Sequence, residues 1–154
     1  MRIFFIASFV LVLSCQQAKA AEAIQKISHR IATNEQVSEN MVKDAIESGL
    51  WNTKKTAVAL TIRKAAGTLC FVLIRQSQNR FMTVDVRNVE SSNFGKLGSP
   101  RMHYDRYETA PTKWLERDDS NYQVVFRTHA WKDGQRFTVK EPLIIKSDGT
   151  PLWR

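Results

Sequence analysis

The sequence predicts an α+β domain, with two N-terminal helices packed on one curved antiparallel sheet of about six strands. Three observations carry that prediction. Helical periodicity is confined to the residues before Gly49, and from Thr56 onward short apolar runs alternate with polar residues between turn-forming ones. An Asp133-Gly134 pair also stands between two β-rich runs, where a tight hairpin turn needs two residues that tolerate positive φ. A chain of 154 residues suits one domain with a core of its own.

The first twenty residues read as an address. Met1-Arg2 is a short basic start, Ile3 to Leu13 is an uncharged apolar run, and Ala18-Lys19-Ala20 is a small-x-small cleavage signal. We therefore expect an export signal peptide at 1–20 and a single α+β domain at 21–154, periplasmic or secreted. The apolar run is too short to span a bilayer as a mature helix, so no transmembrane span is expected after signal removal. Val12-Leu13-Ser14-Cys15 resembles a bacterial lipoprotein box, and the alternative is a membrane-anchored lipoprotein lipidated at Cys15. Cleavage after Ala20 leaves Cys70 as the one cysteine, in an apolar run where a small buried hydrophobe is the expected role.

Each element has its own warrant. Ile24, Ile27 and Ile31 recur at helical spacing from Ala21 to Ala32. Thr33-x-x-Gln36 reads as a capping box for a second helix that turns Val37, Met41, Ala45 and Ile46 inward and stops at Gly49. Strands are expected at Thr56–Arg63, with Val58, Leu60 and Ile62 on one side, and at Thr68–Arg75, apolar on both faces and hence central. Phe81–Val89 alternates again, Ser91–Pro100 is a loop, Arg101–Glu108 is a strand ended by Pro111, and Asp118–Asn121 is a turn. Helices first and a curved sheet after is a cystatin-like or nuclear-transport-factor-like (NTF2-like) layout, an analogy of arrangement only.

The principal hairpin, Tyr122 to Ile145, has a register fixed by its turn. Pairing Lys132 with Gln135 sets Trp131 against Arg136, His129 against Thr138, Thr128 against Val139 and Arg127 against Lys140. Phe126, Thr128, Ala130, Phe137 and Val139 then share a core face, and Arg127, His129, Trp131, Arg136, Thr138 and Lys140 share a wet one. Phe126 would meet Glu141 on the core side just before Pro142, so a bulge or the edge of the sheet is expected there. Trp131 is the tryptophan expected at the surface, with Arg136 able to stack on it; Trp51 and Trp153 are expected in the core or at sheet edges.

Cutting after Ala20 lowers the formal net charge from +8 to +6. That balance suits an acidic partner, yet basic and acidic residues are mixed almost throughout, so no DNA-binding role is expected. The wet face places two cations directly opposite each other, an arrangement that favours a nearby anion. Arg127, His129, Trp131, Arg136 and Lys140 are thus the candidate binding residues, for an envelope or secreted protein or for an anionic polymer.

A second reading is a basic ribonuclease, with His103 and His129 as acid and base and Arg101 and Arg127 on the phosphate. It requires the two His/Arg rows to converge. A third is a pocket for small apolar ligands. Metal-ligand spacing, serine elbows and phosphate-cradling glycine loops are absent from the sequence, so no metal or cofactor is expected and an enzyme is not the default. The first expectation is an exported, non-catalytic component or accessory factor of an envelope or secretion assembly, or an inhibitor of a secreted enzyme.

Overall fold

A computed structural model describes residues 4–64, 67–86, 106–115 and 121–153. The expected Ser91–Pro100 loop, Arg101, His103 and the Asp118-Asp119-Ser120 turn lie outside them.

Helix α1 runs from Phe4 to Glu35, uninterrupted through Ala20-Ala21. It buries Ala23, Ile27 and Ile31, while Ser14 to Lys19 are exposed. The expected capping box at Thr33 is overturned, because those residues end α1 rather than start the next helix. Gln36 takes a left-handed φ of 55°, and the Val37 N–H closes on the Ala32 carbonyl at 3.1 Å, a Schellman-type stop. Helix α2, Glu39–Glu47, is capped instead by Ser38, whose Oγ accepts the Met41 N–H at 3.1 Å. With the start moved, Val42 and Ile46 form the buried stripe and Met41 is exposed.

The strands are β1 (Leu50–Trp51), β2 (Ala57–Lys64), β3 (Gly67–Ser77), β4 (Arg80–Asp85), β5 (Arg106–Leu115), β6 (Tyr122–Lys132), β7 (Gln135–Ile145) and β8 (Pro151–Trp153). They form two antiparallel meanders, β1-β2-β3-β4 and β5-β6-β7-β8, in place of the single six-strand sheet expected. The α+β class holds, and the one-sheet layout is corrected. The reason lies in β2 and β3, which are apolar on both faces. Val58, Leu60, Ile62, Leu69, Phe71 and Leu73 pack with the helices. Ala57, Ala59, Cys70, Val72 and Ile74 face the other way and pack with Val124, Phe126, Leu143 and Ile145 of the second sheet. Helices alone cover one side, so a second sheet covers the other.

Polar ties complete the junction. The Trp114 indole N–H of β5 donates to the Leu50 carbonyl of β1 at 2.7 Å, and Trp114 meets the Tyr122 ring edge-on with centroids 6.3 Å apart. Gly49 leaves helix α2 so close to β2 that a Cβ there would stand 2.6 Å from a methyl of Val58, which explains glycine at this corner.

Pro111 was expected to end its strand, and β5 instead continues through it to Leu115. Edge position and a bulge between Pro111 and Lys113 make the missing N–H harmless, and the extra residue, Thr112, donates its hydroxyl to the Val125 carbonyl at 3.0 Å.

Phe126 is 1% exposed at the centre of the inter-sheet core. Phe126→Ala should lower unfolding stability by about 3–5 kcal/mol, as its ring has no room to be replaced by collapse between two sheets. Urea denaturation read by tryptophan fluorescence tests this; a loss well under 1 kcal/mol would mean that the two sheets do not share the core.

Candidate functional site

Everything at the candidate site follows from one turn. Asp133 and Gly134 have φ of 50° and 75°, the two positive values that a type I′ turn requires. The observed register is the one the turn dictates, with Lys132 opposite Gln135, Trp131 opposite Arg136, His129 opposite Thr138 and Arg127 opposite Lys140. It continues without a bulge through Phe126 opposite Glu141 to Tyr122 opposite Ile145. The bulge alternative is therefore overturned and the edge alternative holds, since β8 pairs with β7 only from Leu143 to Ile145.

The two faces separate as side-chain alternation demands. Phe126, Thr128 and Ala130 are buried and Phe137 and Val139 half-buried on the inner face. The Thr128 hydroxyl meets that of Thr109 on β5 at 3.2 Å, so the buried polar pair satisfies itself. On the outer face Arg127, His129 and Trp131 are half-buried, and Arg136, Thr138 and Lys140 are exposed. This face is wet only in its hairpin half. Beyond Arg127 it carries Val125 and Gln123, at 8% and 3% exposure.

Strand β5 adds residues that the sequence did not bring to this face. Glu108 lies beside His129 and Ala110 beside Arg127. The pairing register shifts between Pro111 and Lys113, so alternation in the sequence does not carry it along β5. Among the described residues Glu108 is the acid whose charge acts on His129, and it is shared, since it also approaches Arg63 at 3.7 Å. That contact is solvent-exposed and contributes little.

Arg127, Arg136 and Lys140 make no ion pair among the described residues. The Arg127 Nε is buried with no hydrogen-bond partner. His129 is held by a 2.8 Å hydrogen bond between Nδ1 and the Thr138 hydroxyl, and its ring meets Trp131 edge-on, centroids 5.8 Å apart. Trp131 thus has His129 as a ring neighbour, with Arg136 across from it on β7. Desolvation of the ring, then the charges of Arg127 and Arg136, hold the His129 imidazole below its ordinary pKa; Glu108 opposes them and Lys140 adds to them. Burial of the ring is the largest cause, and the surrounding cations add to it.

The other described sequence candidates lie away from this face. Arg101 and His103 lie outside the described residues. Cys15 is exposed on α1, and Cys70 is fully buried between the sheets. His29 is exposed, with its Nδ1 3.3 Å from a carboxylate oxygen of Glu39. Among the described residues no His, Cys, Asp and Glu side chains gather as a metal site, and no helix is long and apolar enough to cross a membrane. A cavity of about 290 Å³ between α1 and the first sheet is lined by Arg30, Ile31, Asn34, Glu35, Phe71, Thr83 and Asp85, and it is bridged by a 2.7 Å hydrogen bond from Arg30 to Thr83.

The chain matches no protein-family model, and comparison with curated proteins and with solved structures finds no relative.

The field at His129 can be measured. Arg127→Ala should raise the His129 pKa towards the ordinary imidazole value, followed by NMR of the ring protons against pH; an unchanged pKa would show that the cations do not act on it. The depressed value also has a stability consequence. The unfolded chain takes up the proton more readily than the folded one, so the stability this group contributes is present above the ordinary imidazole pKa and is lost as pH falls from there through the lowered pKa of the folded state.

Proposed function

We propose that this is an exported, non-catalytic protein that binds an acidic surface of another envelope or secreted protein through the outer face of its β6–β7 hairpin. Arg127, His129, Trp131, Arg136 and Lys140 are the contact residues. One observation carries the reading: Arg127 and Lys140 stand directly opposite each other with no counter-ion among the described residues, and a guanidinium nitrogen is left buried and unbonded. Like charges across a strand pair destabilise it, so a bound carboxylate would relieve a cost that the free protein bears. Trp131 at the turn end supplies the rigid aromatic contact that binding surfaces favour.

Such a protein serves as a component or accessory factor of an envelope or secretion assembly, or as an inhibitor of a secreted enzyme. Export is supported by the signal pattern of the first twenty residues and by the packing of α1, whose buried side chains among those described begin at Ala23. Cleavage before Ala21 would remove none of them. A chain beginning at Ala21 should melt within about 2 °C of the full chain by circular dichroism, because a change of a few tenths of a kcal/mol moves a domain of this size by about that much. A drop of ten degrees or more would tie the first twenty residues to the fold. The mass of the mature protein separates that cut from lipidation at Cys15.

The reading itself is tested by native mass. In a mild detergent extract of producing cells the protein should travel in a particle larger than its own monomer. Arg127→Ala/Arg136→Ala should release it as a monomer with a melting temperature that is not lowered, since the substitutions also remove the like-charge opposition to Lys140. A monomer in both cases, or a complex that both substitutions leave intact, would overturn the assignment of this face.

A further inference from the structure

The hairpin has an edge as well as a face. Strand β8 covers β7 only opposite Leu143, Ile144 and Ile145, so from Gln135 to Pro142 no described strand lies outside β7. Hydrogen-bond parity shows which backbone groups are left over. The residues flanking a two-residue turn form a closely hydrogen-bonded pair, so Gln135, Phe137, Val139 and Glu141 turn their N–H and C=O towards β6. Arg136, Thr138 and Lys140 turn theirs outward. The chain confirms this parity farther along, where the Lys146 N–H, in the same outward series, bonds the Thr150 carbonyl at 3.1 Å. Pro142 also belongs to the outward series, where it forfeits no ladder bond within the sheet.

The side chains of the same three residues point to what could pair there. Arg136, Thr138 and Lys140 are exposed on the outer face, while Phe137 and Val139 are half-buried on the inner one. A second copy of this chain is a poor occupant. Antiparallel self-pairing centred on Thr138 would set Arg136 against Lys140 of the other copy at both ends, and like charges directly opposed destabilise a ladder. No acid lies between Gln135 and Lys140 to permit a shifted register.

We propose that β7 accepts a further antiparallel strand from a partner protein, an extended segment with acidic residues facing Arg136 and Lys140, a polar residue facing Thr138 and apolar residues between them. This rests on the cationic-face reading and names the chemistry of its partner. Backbone bonds from Arg136, Thr138 and Lys140 hold the strand, and side chains select it. The carboxylate facing Lys140 also enters the field of Arg127 and His129.

The probe is a fluorescently labelled, blocked peptide, Ser-Thr-Glu-Val-Thr-Val-Glu-Thr-Ser, binding to the full protein by anisotropy. It should bind at least about tenfold more tightly than its counterpart with Lys in place of both Glu, from two favourable cross-strand pairs. Arg136→Glu/Lys140→Glu should reverse that preference. N-methylation at the central Thr, whose N–H would face β7, should weaken binding by about tenfold, whereas N-methylation at the Val residues should spare it. That contrast leaves the protein unaltered, so it does not depend on a variant's folding. Indifference to the position of the methyl group, with the charge preference kept, would overturn strand addition and leave the cationic face standing. Failure of the wild-type protein to bind either peptide would overturn the inference too, and the native-mass comparison then decides the face separately.

Discussion

The structure depends on a pair of strands that cannot be left with a bare side. In β2 and β3 small and large apolar residues occupy successive positions, so both surfaces of the pair must be withdrawn from water. Val58, Leu60 and Ile62 find the helices. Ala57 and Ala59, on the opposite side, offer little bulk and let the second sheet approach. Two cores result, one between helix and sheet and one between sheet and sheet, and β2 and β3 belong to both. Burial on two faces explains why a chain with helices only at one end still makes three layers.

How much of this the sequence discloses depends on the range of the interaction that decides it. The hairpin register was legible in full, because Asp133-Gly134 fixes it locally and alternation then propagates it to Tyr122 and Ile145. Cys70 was legible as core for the same reason: an uninterrupted apolar strand has no wet side. The helix boundary was not, since Thr33 and Ser38 are both capable caps and the choice falls to Gln36, which leaves the helix in a left-handed conformation. The division into two sheets was hidden as well. Alternation says that β3 has two buried faces, and it does not say whether helix or sheet covers the second.

The candidate face shows the same division. The sequence placed Arg127, His129, Trp131, Arg136 and Lys140 together because one turn relates them. It did not bring Glu108 or Ala110 to their side, because no two-residue turn relates β5 to β6 as one relates β6 to β7, and the β5 register shifts at Pro111. The omission matters for the electrostatics. Glu108 opposes the cations around His129 but is shared with Arg63, and the imidazole remains below its ordinary pKa. One exposed carboxylate does not neutralise three cations, and the hairpin keeps an unmet positive field without any block of consecutive basic residues.

Edges decide where such a field can be used. An open sheet must protect its outer strands from indiscriminate pairing, and this fold does so by different means at different places. Strand β1 has two residues and β8 has three, too short to template another chain. Strand β5 carries Pro111 and a bulge, and β4 mixes Arg80 with Asp85. On β7 the protection is charge of a single sign, Arg136 and Lys140 with Thr138 between them, over backbone groups that parity turns outward. Proline, bulges and shortness exclude every incoming strand alike. A cationic row repels copies of itself and favours a strand that brings acids, so under the proposed strand addition the device that guards this edge is also the one that would discriminate between partners.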